Sequence, residues 1–218
     1  MKSTDKSERV QYINDNLVSQ SKLMKEIAEK LDKDEKAIQV APNEGQILST
    51  LVQLAKPKFL VEIGTLYGYS ACWLLRAMGS DSELHTVEHN KDNYKNSEHF
   101  LKQHNEAHKV TCYNSSGLDF LNSWPKDKPI DFLFLDADKG GYLNYLNLAL
   151  PHLSSGAVVV ADNSFLFGHV LSDQPPENYS KNTWMKMREL NKTLSGSTGQ
   201  FFGMMIPTHQ GMTVGVKV

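Results

Sequence analysis

The sequence predicts an α/β domain: a mostly parallel sheet with helices on both faces and extra helices at the N-terminus. Beyond Pro57, short apolar runs of strand length alternate with amphipathic segments of helix length, the rhythm of β-α-β units. Before Pro57, apolar residues recur at helical spacing. The last two apolar runs, 201–206 and 212–216, are separated only by Pro207-Thr208-His209-Gln210-Gly211. That leaves no room for a crossover helix, so they form a hairpin and one strand runs against the rest.

In chain order, Val10, Ile13 and Leu17 mark a first helix, and Leu23, Met24, Ile27 and Leu31 a second. The charged run Asp32-Lys33-Asp34-Glu35-Lys36 separates them from a third. This one starts near Pro42, because proline suits a first turn, buries Ile47, Leu48, Leu51 and Leu54, and stops at Lys56-Pro57. Strands are expected at 59–63, 83–87, 110–113, 130–135 and 157–161, before the hairpin pair. Helices are expected at 69–78, 91–104, 117–122, 142–153 and 183–194. Residues 1–56 thus read as a helical cap and 57–218 as the α/β core of a single domain spanning 1–218.

Of the 218 residues, 40% are apolar and 22% charged, which is too apolar for a disordered chain. A net charge of −2 offers no broad basic field for a nucleic-acid backbone. The polar stretch at 1–9 has no apolar core, so no secretion signal is expected. The apolar run 157–161 is far too short to span a bilayer. Cys72 and Cys112 show no metal or disulfide spacing, and a cytoplasmic location is expected.

Ligands of such sheets bind beyond the carboxyl ends of the strands. The first strand leaves through Val61-Glu62-Ile63-Gly64-Thr65-Leu66-Tyr67-Gly68-Tyr69-Ser70. Gly64 and Gly68 allow a sharp turn and a close approach to a ligand. The helix that follows can receive a carboxylate on its free N–H groups, with Ser70 adding a hydroxyl. The spacing is G-x-x-x-G rather than the G-x-G-x-x-G that admits a pyrophosphate, which disfavours a nicotinamide-dependent dehydrogenase. Glu62, just ahead of the turn, suits a ligand with an ammonium group. The second strand ends at Glu88, where a carboxylate can accept both hydroxyls of a ribose. An amino-acid end and a ribose belong together in S-adenosylmethionine (SAM). Glu62, Gly64, Tyr67, Gly68, Ser70 and Glu88 are therefore candidate cofactor residues.

The fourth strand ends in Asp136-Ala137-Asp138-Lys139 and the fifth in Asp162-Asn163. Neighbouring strands lie about 4.8 Å apart, so these ends can converge on one ion. Two carboxylates and an amide oxygen are hard ligands suited to Mg²⁺, Mn²⁺ or Ca²⁺. Taken alone, Asp162-Asn163 is also an ordinary turn signal, and either Asp136 or Asp138 could cap the next helix. Their adjacency to the Glu62–Ser70 loop is what favours the metal reading.

With these motifs the chain resembles the metal-dependent class I O-methyltransferases, the catechol and caffeoyl-coenzyme A enzymes and their small bacterial relatives. The likeness runs from Ala41 onward. It is carried by Pro42-Asn43-Glu44-Gly45-Gln46, Glu62-Ile63-Gly64 with Gly68-Tyr69-Ser70, Asp136-Ala137-Asp138-Lys139 with Tyr142, Asp162-Asn163 and Gly211-Met212-Thr213. It implies a Rossmann-like sheet of seven strands in the order 3-2-1-4-5-7-6. It further implies that Asp136, Asp162 and Asn163 hold a divalent cation, Mg²⁺ foremost, and that Lys139 is the general base. Ser116, Gly117, Asp136 and Asp138 would adjoin SAM together with the loop residues and Glu88. The implied acceptor is a small catechol-like molecule with neighbouring hydroxyls, and the implied assembly a homodimer to which the leading helices contribute. A hydroxylated uridine of tRNA is the alternative acceptor within the family. A SAM-binding protein without catalysis is the alternative outside it, disfavoured by the presence of Asp136, Lys139, Asp162 and Asn163.

On this reading Lys139, neutral at the moment of transfer, takes the hydroxyl proton and the oxygen attacks the sulfonium methyl in line. Three segments depart from the family pattern. Ser164-Phe165-Leu166-Phe167-Gly168 places Leu166 where relatives carry a tryptophan. Ser115-Ser116-Gly117 replaces a glycine- and alanine-rich stretch, and Gly140-Gly141 replaces a polar pair. Segment 172–178 reads as a long loop in the position of a lid. Structural roles are expected elsewhere: Met185, Met187, Met204 and Met205 as core or pocket filler, Trp73 and Trp124 as packing residues, and His85, His89, His104 and His108 as surface residues.

Overall fold

Strand β1 (Phe59–Ile63) is buried at all five positions, which places it inside a sheet covered on both faces. The computed structural model describes residues 8–175, 177 and 180–218. Around β1 it sets β2 (Glu83–Glu88), β3 (Val110–Asn114), β4 (Ile130–Leu135), β5 (Leu153–Ala161), β6 (Phe201–Ile206) and β7 (Met212–Lys217). Their order is β3-β2-β1-β4-β5-β7-β6, as the resemblance implies. Strands β1 to β5 pair in parallel, while β7 runs antiparallel to both β5 and β6. The chain steps outward from β1 to β3 and then returns to β4. The crevice of the fold therefore opens at the carboxyl ends of β1 and β4.

Eight α-helices surround this sheet among the described residues: α1 (Glu8–Asn16), α2 (Lys22–Lys33), α3 (Pro42–Ala55), α4 (Tyr69–Leu75), α5 (Lys91–Leu101), α6 (Gly117–Asn122), α7 (Tyr142–Ala149) and α8 (Lys181–Leu194). Local chemistry sets their ends. The Ser21 hydroxyl caps α2 by accepting from the Met24 N–H at 3.2 Å. In α3, Pro42 occupies the first turn and the Glu44 carboxylate accepts from the Ala41 N–H at 2.8 Å. Alternation along β4 feeds two cores. Phe132 and Phe134 join Leu48, Val52, Trp73 and the buried face of α2 on one side. Leu133 and Leu135 join Leu146, Met187 and Leu190 on the other.

Several boundaries differ from the sequence expectation. Helix α7 stops at Ala149 and passes into a 3₁₀ turn, Leu150–His152, because Pro151 has no N–H to continue the helix. Strand β5 starts at Leu153, earlier than expected. The polar Ser154-Ser155-Gly156 stretch, outside the expected strand, is taken into it through a register shift opposite Ile130 and Phe132. His85 is buried rather than exposed: its ring lies edge-on to Trp124 at 4.9 Å, with Nδ1 2.9 Å from the Tyr113 hydroxyl. Met187 is buried, but Met185 and Met204 are exposed and fill no core. Positions 176 and 178 of the expected lid lie outside the described residues. Among those described, no helix is long and apolar enough to cross a membrane.

The β6–β7 hairpin lies directly against the end of α8. Gly203 and Gly215 face each other in register, and a Cβ on Gly203 would stand 2.1 Å from the Val214 oxygen and 2.3 Å from the Leu194 oxygen. Both obstacles are backbone and cannot swing away. Gly203→Ala is expected to lower unfolding free energy by about 3 kcal/mol in urea denaturation. An unchanged midpoint would refute this packing.

Candidate active site

The register of the central strands builds the site. Ile63 pairs with Leu135 and Leu135 with Ala161, so the residues that follow, Gly64, Asp136 and Asp162, stand abreast. The Asp136 N–H donates to the Ile63 oxygen at 2.9 Å, and the Asp162 N–H to the Leu135 oxygen at 3.0 Å, which carries the ladder one step past the strands. At Gly64, with φ +105°, a Cβ would lie 2.2 Å from the Asp136 oxygen. Only glycine fits. The glycine turn and the acidic strand end are thereby pressed together.

Above them opens a cavity of about 620 Å³. Of the residues singled out in the sequence, its wall includes Gly64, Ser70, Glu88, Ser116, Gly117, Asp136, Asp138, Lys139 and Asn163. Glu62, Tyr67, Gly68 and Asp162 lie outside the wall. The Tyr67 hydroxyl donates to Asp34 at 2.7 Å, joining the loop to the N-terminal helices. The missing side chain of Gly68 makes room for Leu101, which a Cβ would meet at 2.9 Å. Glu62 and Asp162 are fully buried.

Glu62 accepts from the Thr86 hydroxyl at 2.5 Å through Oε2, while Oε1 is buried without a hydrogen-bond partner. Burial pushes its carboxyl up to about 7, and the negative charges of Asp136 and Glu88 add to the rise. The nearby Ser70 and Thr86 hydroxyls oppose it. Glu88 is held differently: its two oxygens accept from the Leu66 N–H at 2.9 Å and the Asn90 N–H at 2.8 Å. Those bonds fix a carboxylate in the wall.

At the other end, the Lys139 ammonium donates to Asp136 Oδ1 at 3.1 Å and to the Tyr142 hydroxyl at 2.5 Å, and lies 4.7 Å from that ring's centre. Tyr142 is completely buried. Burial holds its phenol well above the usual range, with the Asp136, Asp162 and Asp138 carboxylates adding to the effect, so it stays neutral. Tyr145, one turn along α7, donates to Asp138. Room for its ring is left by Gly141 and Gly117, where a Cβ would come within 2.7 and 2.8 Å of it. That packing accounts for Gly141, one of the departures noted in the sequence.

The backbone register sets Asp136 and Asp162 at equal height with Asn163 next in the chain, and their side-chain oxygens are of the kind a hard cation takes. Asn163 Nδ2 is buried without a partner, so no protein bond at that atom opposes a half-turn presenting Oδ1. No group of three His, Cys, Asp or Glu side chains is placed to hold an ion among the described residues. A site here depends on the amide.

Beyond Asn163, Leu166 is fully buried while Phe167 lines the cavity and is 44% exposed. Ile38 and Gln39, ahead of α3, also line it. Sequence reasoning missed these wall residues, since nothing in their spacing marks them. Tyr145 was traceable, because it follows Tyr142 by one helical turn.

A family model described as O-methyltransferase matches residues 14–218. The chain is 32% identical over 164 residues to a catechol O-methyltransferase of Niastella koreensis, covering 74% of this chain and 72% of that protein. It is 32% identical over 178 residues to a caffeoyl-CoA O-methyltransferase of Medicago sativa, covering 79% and 72%. Among solved structures it is similar to the O-methyltransferase TomG from Streptomyces achromogenes in complex with SAM. There the TM-score is 0.87 and the identity 26%, over 100% of this chain and 99% of that one. An O-methyltransferase from Bacillus cereus in complex with SAH gives a TM-score of 0.83 and 25% identity, over 95% and 96%.

Glu62 makes a pH-dependent contribution to stability. Its folded value, about 7, lies above the ordinary 4.5, so the native state binds this proton more tightly than the unfolded chain does. Stability from this group is complete below 4.5 and is lost as pH rises towards 7. Glu62→Gln removes the ionisation. Relative to wild type, the variant should gain roughly 3 kcal/mol between pH 4.5 and pH 8 in urea titrations. A difference that does not change with pH would contradict the assignment.

Proposed function

Because the chain belongs to the O-methyltransferase family, we propose that it moves a methyl group from SAM to one hydroxyl of a small acceptor bearing two neighbouring hydroxyls. Lys139 is the base and Asp136, Asp162 and Asn163 hold a divalent cation. The observation that carries this reading is the placement of the Lys139 ammonium, 3.1 Å from Asp136, in the same cavity whose wall holds Gly64, Ser70 and Glu88. The nitrogen proposed as the base, once deprotonated, and the loop proposed for the methyl donor thus share one cavity.

In this reading the amino-acid end of SAM lies on Gly64 and Ser70 with the Glu62 carboxylate beneath its ammonium, and Glu88 takes the ribose hydroxyls. The Ser116 hydroxyl accepts from the Asp119 N–H and donates to its carboxylate, so Ser116 and Gly117 offer backbone to the adenine end. A cation held by Asp136, Asp162 and Asn163 would supply Lewis-acid stabilisation of the acceptor oxygen. Neutral Lys139 takes the hydroxyl proton, and Asp136 and Tyr142 then hold the ammonium that forms. The S–CH₃ bond breaks as the O–CH₃ bond forms, leaving S-adenosylhomocysteine (SAH). Alignment of the two reactants is the larger part of the catalysis, and such positioning is worth roughly 7–11 kcal/mol.

The protein acts as a homodimer in the same proposal. Support comes from edge strand β6, whose Phe202 and Met204 are 81% and 59% exposed on the face they share with Val216. Phe202→Glu should then shift the sedimentation coefficient to that of a monomer.

Methyl transfer from labelled SAM to catechol, with bulk tRNA as a second acceptor, tests the chemistry. Lys139→Ala should lower kcat at least a hundredfold with SAM affinity retained, and exhaustive EDTA treatment should abolish turnover until Mg²⁺ is restored. Full activity in either case would remove that part of the mechanism. Transfer to tRNA alone would replace the acceptor.

A further inference from the structure

We infer that Tyr67 is a positioning residue for the methyl donor, latching the segment between α2 and α3 into the cavity wall through Asp34; this rests on the SAM reading of the same cavity. Tyr67 lies outside the wall, whereas Leu66 before it and Tyr69 and Ser70 after it belong to it. It is nonetheless buried, and its hydroxyl donates to Asp34 Oδ2 at 2.7 Å. Asp34 ends α2, and Ile38 and Gln39 a few residues on line the same cavity. One hydrogen bond thus ties the donor loop to a stretch of chain that completes the wall.

The bond is braced from both sides. The Lys30 ammonium donates to both Asp34 oxygens at 2.6 Å, which fixes the carboxylate that receives the tyrosine. Two residues after Asp34, the Lys36 ammonium donates to Asn93 Oδ1 at 2.8 Å and stands 5.6 Å from the centre of the Tyr67 ring, within cation–π reach. Asn93 belongs to the cavity wall as well. On the loop, the Leu66 N–H donates to Glu88 at 2.9 Å. The carboxylate proposed for the ribose, the tyrosine and the α2–α3 segment are therefore connected in series. A second phenol repeats the pattern, since the Tyr69 hydroxyl donates to Gln20 Oε1, between α1 and α2, at 2.7 Å.

The segment is held closed against an opposing cost. Glu35, directly after Asp34, has φ +56°, and Leu66, directly before Tyr67, has φ +51°. Such side chains rarely adopt this region and persist there where neighbours hold them. Gln39 Oε1 is buried without a hydrogen-bond partner among the described residues, a cost that water would relieve if the segment swung out. An open arrangement therefore competes with the closed one, and the apparent affinity for the donor follows the closed fraction. Removing the Tyr67 hydroxyl keeps the ring and its packing and takes away only the closing bond. The latch acts on donor binding, not on the transfer step.

The test measures SAH binding by calorimetry in wild type, Tyr67→Phe, Asp34→Ala, Asp34→Asn and the double variant of Tyr67→Phe with Asp34→Ala. Each of Tyr67→Phe and Asp34→Ala should weaken binding about fivefold. The double variant should lose no more than about twofold beyond either, because both changes remove one contact. Asp34→Asn keeps an oxygen for the tyrosine and should stay within about twofold of wild type. In SAH-free protein, hydrogen exchange at residues 35–40 should quicken in Tyr67→Phe while β1 and β4 exchange as in wild type, which separates a released segment from a loosened fold. In turnover, Tyr67→Phe should raise KM for SAM with kcat little changed. SAH affinity unchanged by either single variant, additive losses in the double variant, Asp34→Asn as weak as Asp34→Ala, or unaltered exchange at 35–40 would each overturn the inference. Wild-type protein that binds no SAH would remove the donor reading and the latch with it. If SAH binding depends on Tyr67 and Asp34 but no methyl reaches catechol, the latch stands and the acceptor reading falls.

Discussion

The contact between Gly64 and the Asp136 carbonyl is the constraint on which the site depends. A Cβ at Gly64 would lie 2.2 Å from that oxygen, so the turn after β1 can lie against the end of β4 only while position 64 has no side chain. Once they touch, the parallel register places Asp162 beside Asp136 without further adjustment. The two halves of the proposed site are thereby joined. The loop suited to the methyl donor and the acids suited to a cation become neighbours because two strand ends meet in one ladder. A side chain at position 64 would separate them before any binding residue was altered.

Much of this was legible before folding. The near-continuous apolar runs at 59–63 and 130–135, each broken by one acid, Glu62 and Asp131, are direct readouts of a sheet buried on both faces, and both strands end where the runs end. Asp136, Lys139 and Asn163 could be placed because strand exits in such sheets converge on one crevice. What escaped depends on long-range contacts. The early start of β5 needs a register shift against β4, and the burial of His85 needs Trp124 from across α6. Phe167 was out of reach for another reason. Its place in the cavity wall follows from backbone dihedrals that a sequence of ordinary side chains does not advertise.

The departures from the family pattern prove unequal in kind. Gly141 is explained by packing, since the Tyr145 ring fills the space where its side chain would be. Ser116 is explained locally, as the cap of α6. The run from Ser164 to Gly168 is different, because its effect is on the cavity. Ser164 is fixed by its hydroxyl to the Ala161 oxygen, and its own oxygen accepts from Asn191, so the chain is anchored immediately before it turns. The anchored residues serve the fold, and the freedom left to the sequence is spent at the mouth.

Charge ties the two ends of the cavity together. Glu88, Asp136 and Asp138 belong to its wall, and Glu62 is buried beside it, so one small volume is surrounded by carboxylates. Part of their mutual repulsion is visible in Glu62, whose carboxyl is raised by Asp136 and Glu88 as well as by burial. Lys139 offsets part of it at Asp136. A ligand with an ammonium and a sulfonium group relieves the same repulsion, and so does a divalent cation at Asp136. Each cation makes the local potential felt by the remaining carboxylates less negative, so binding one favours their charged forms. The arrangement that makes Glu62 costly to ionise therefore favours positively charged ligands. Under the proposed mechanism, an acceptor that is neutral until it loses its proton adds its negative charge only at the end of the cavity where Lys139 stands.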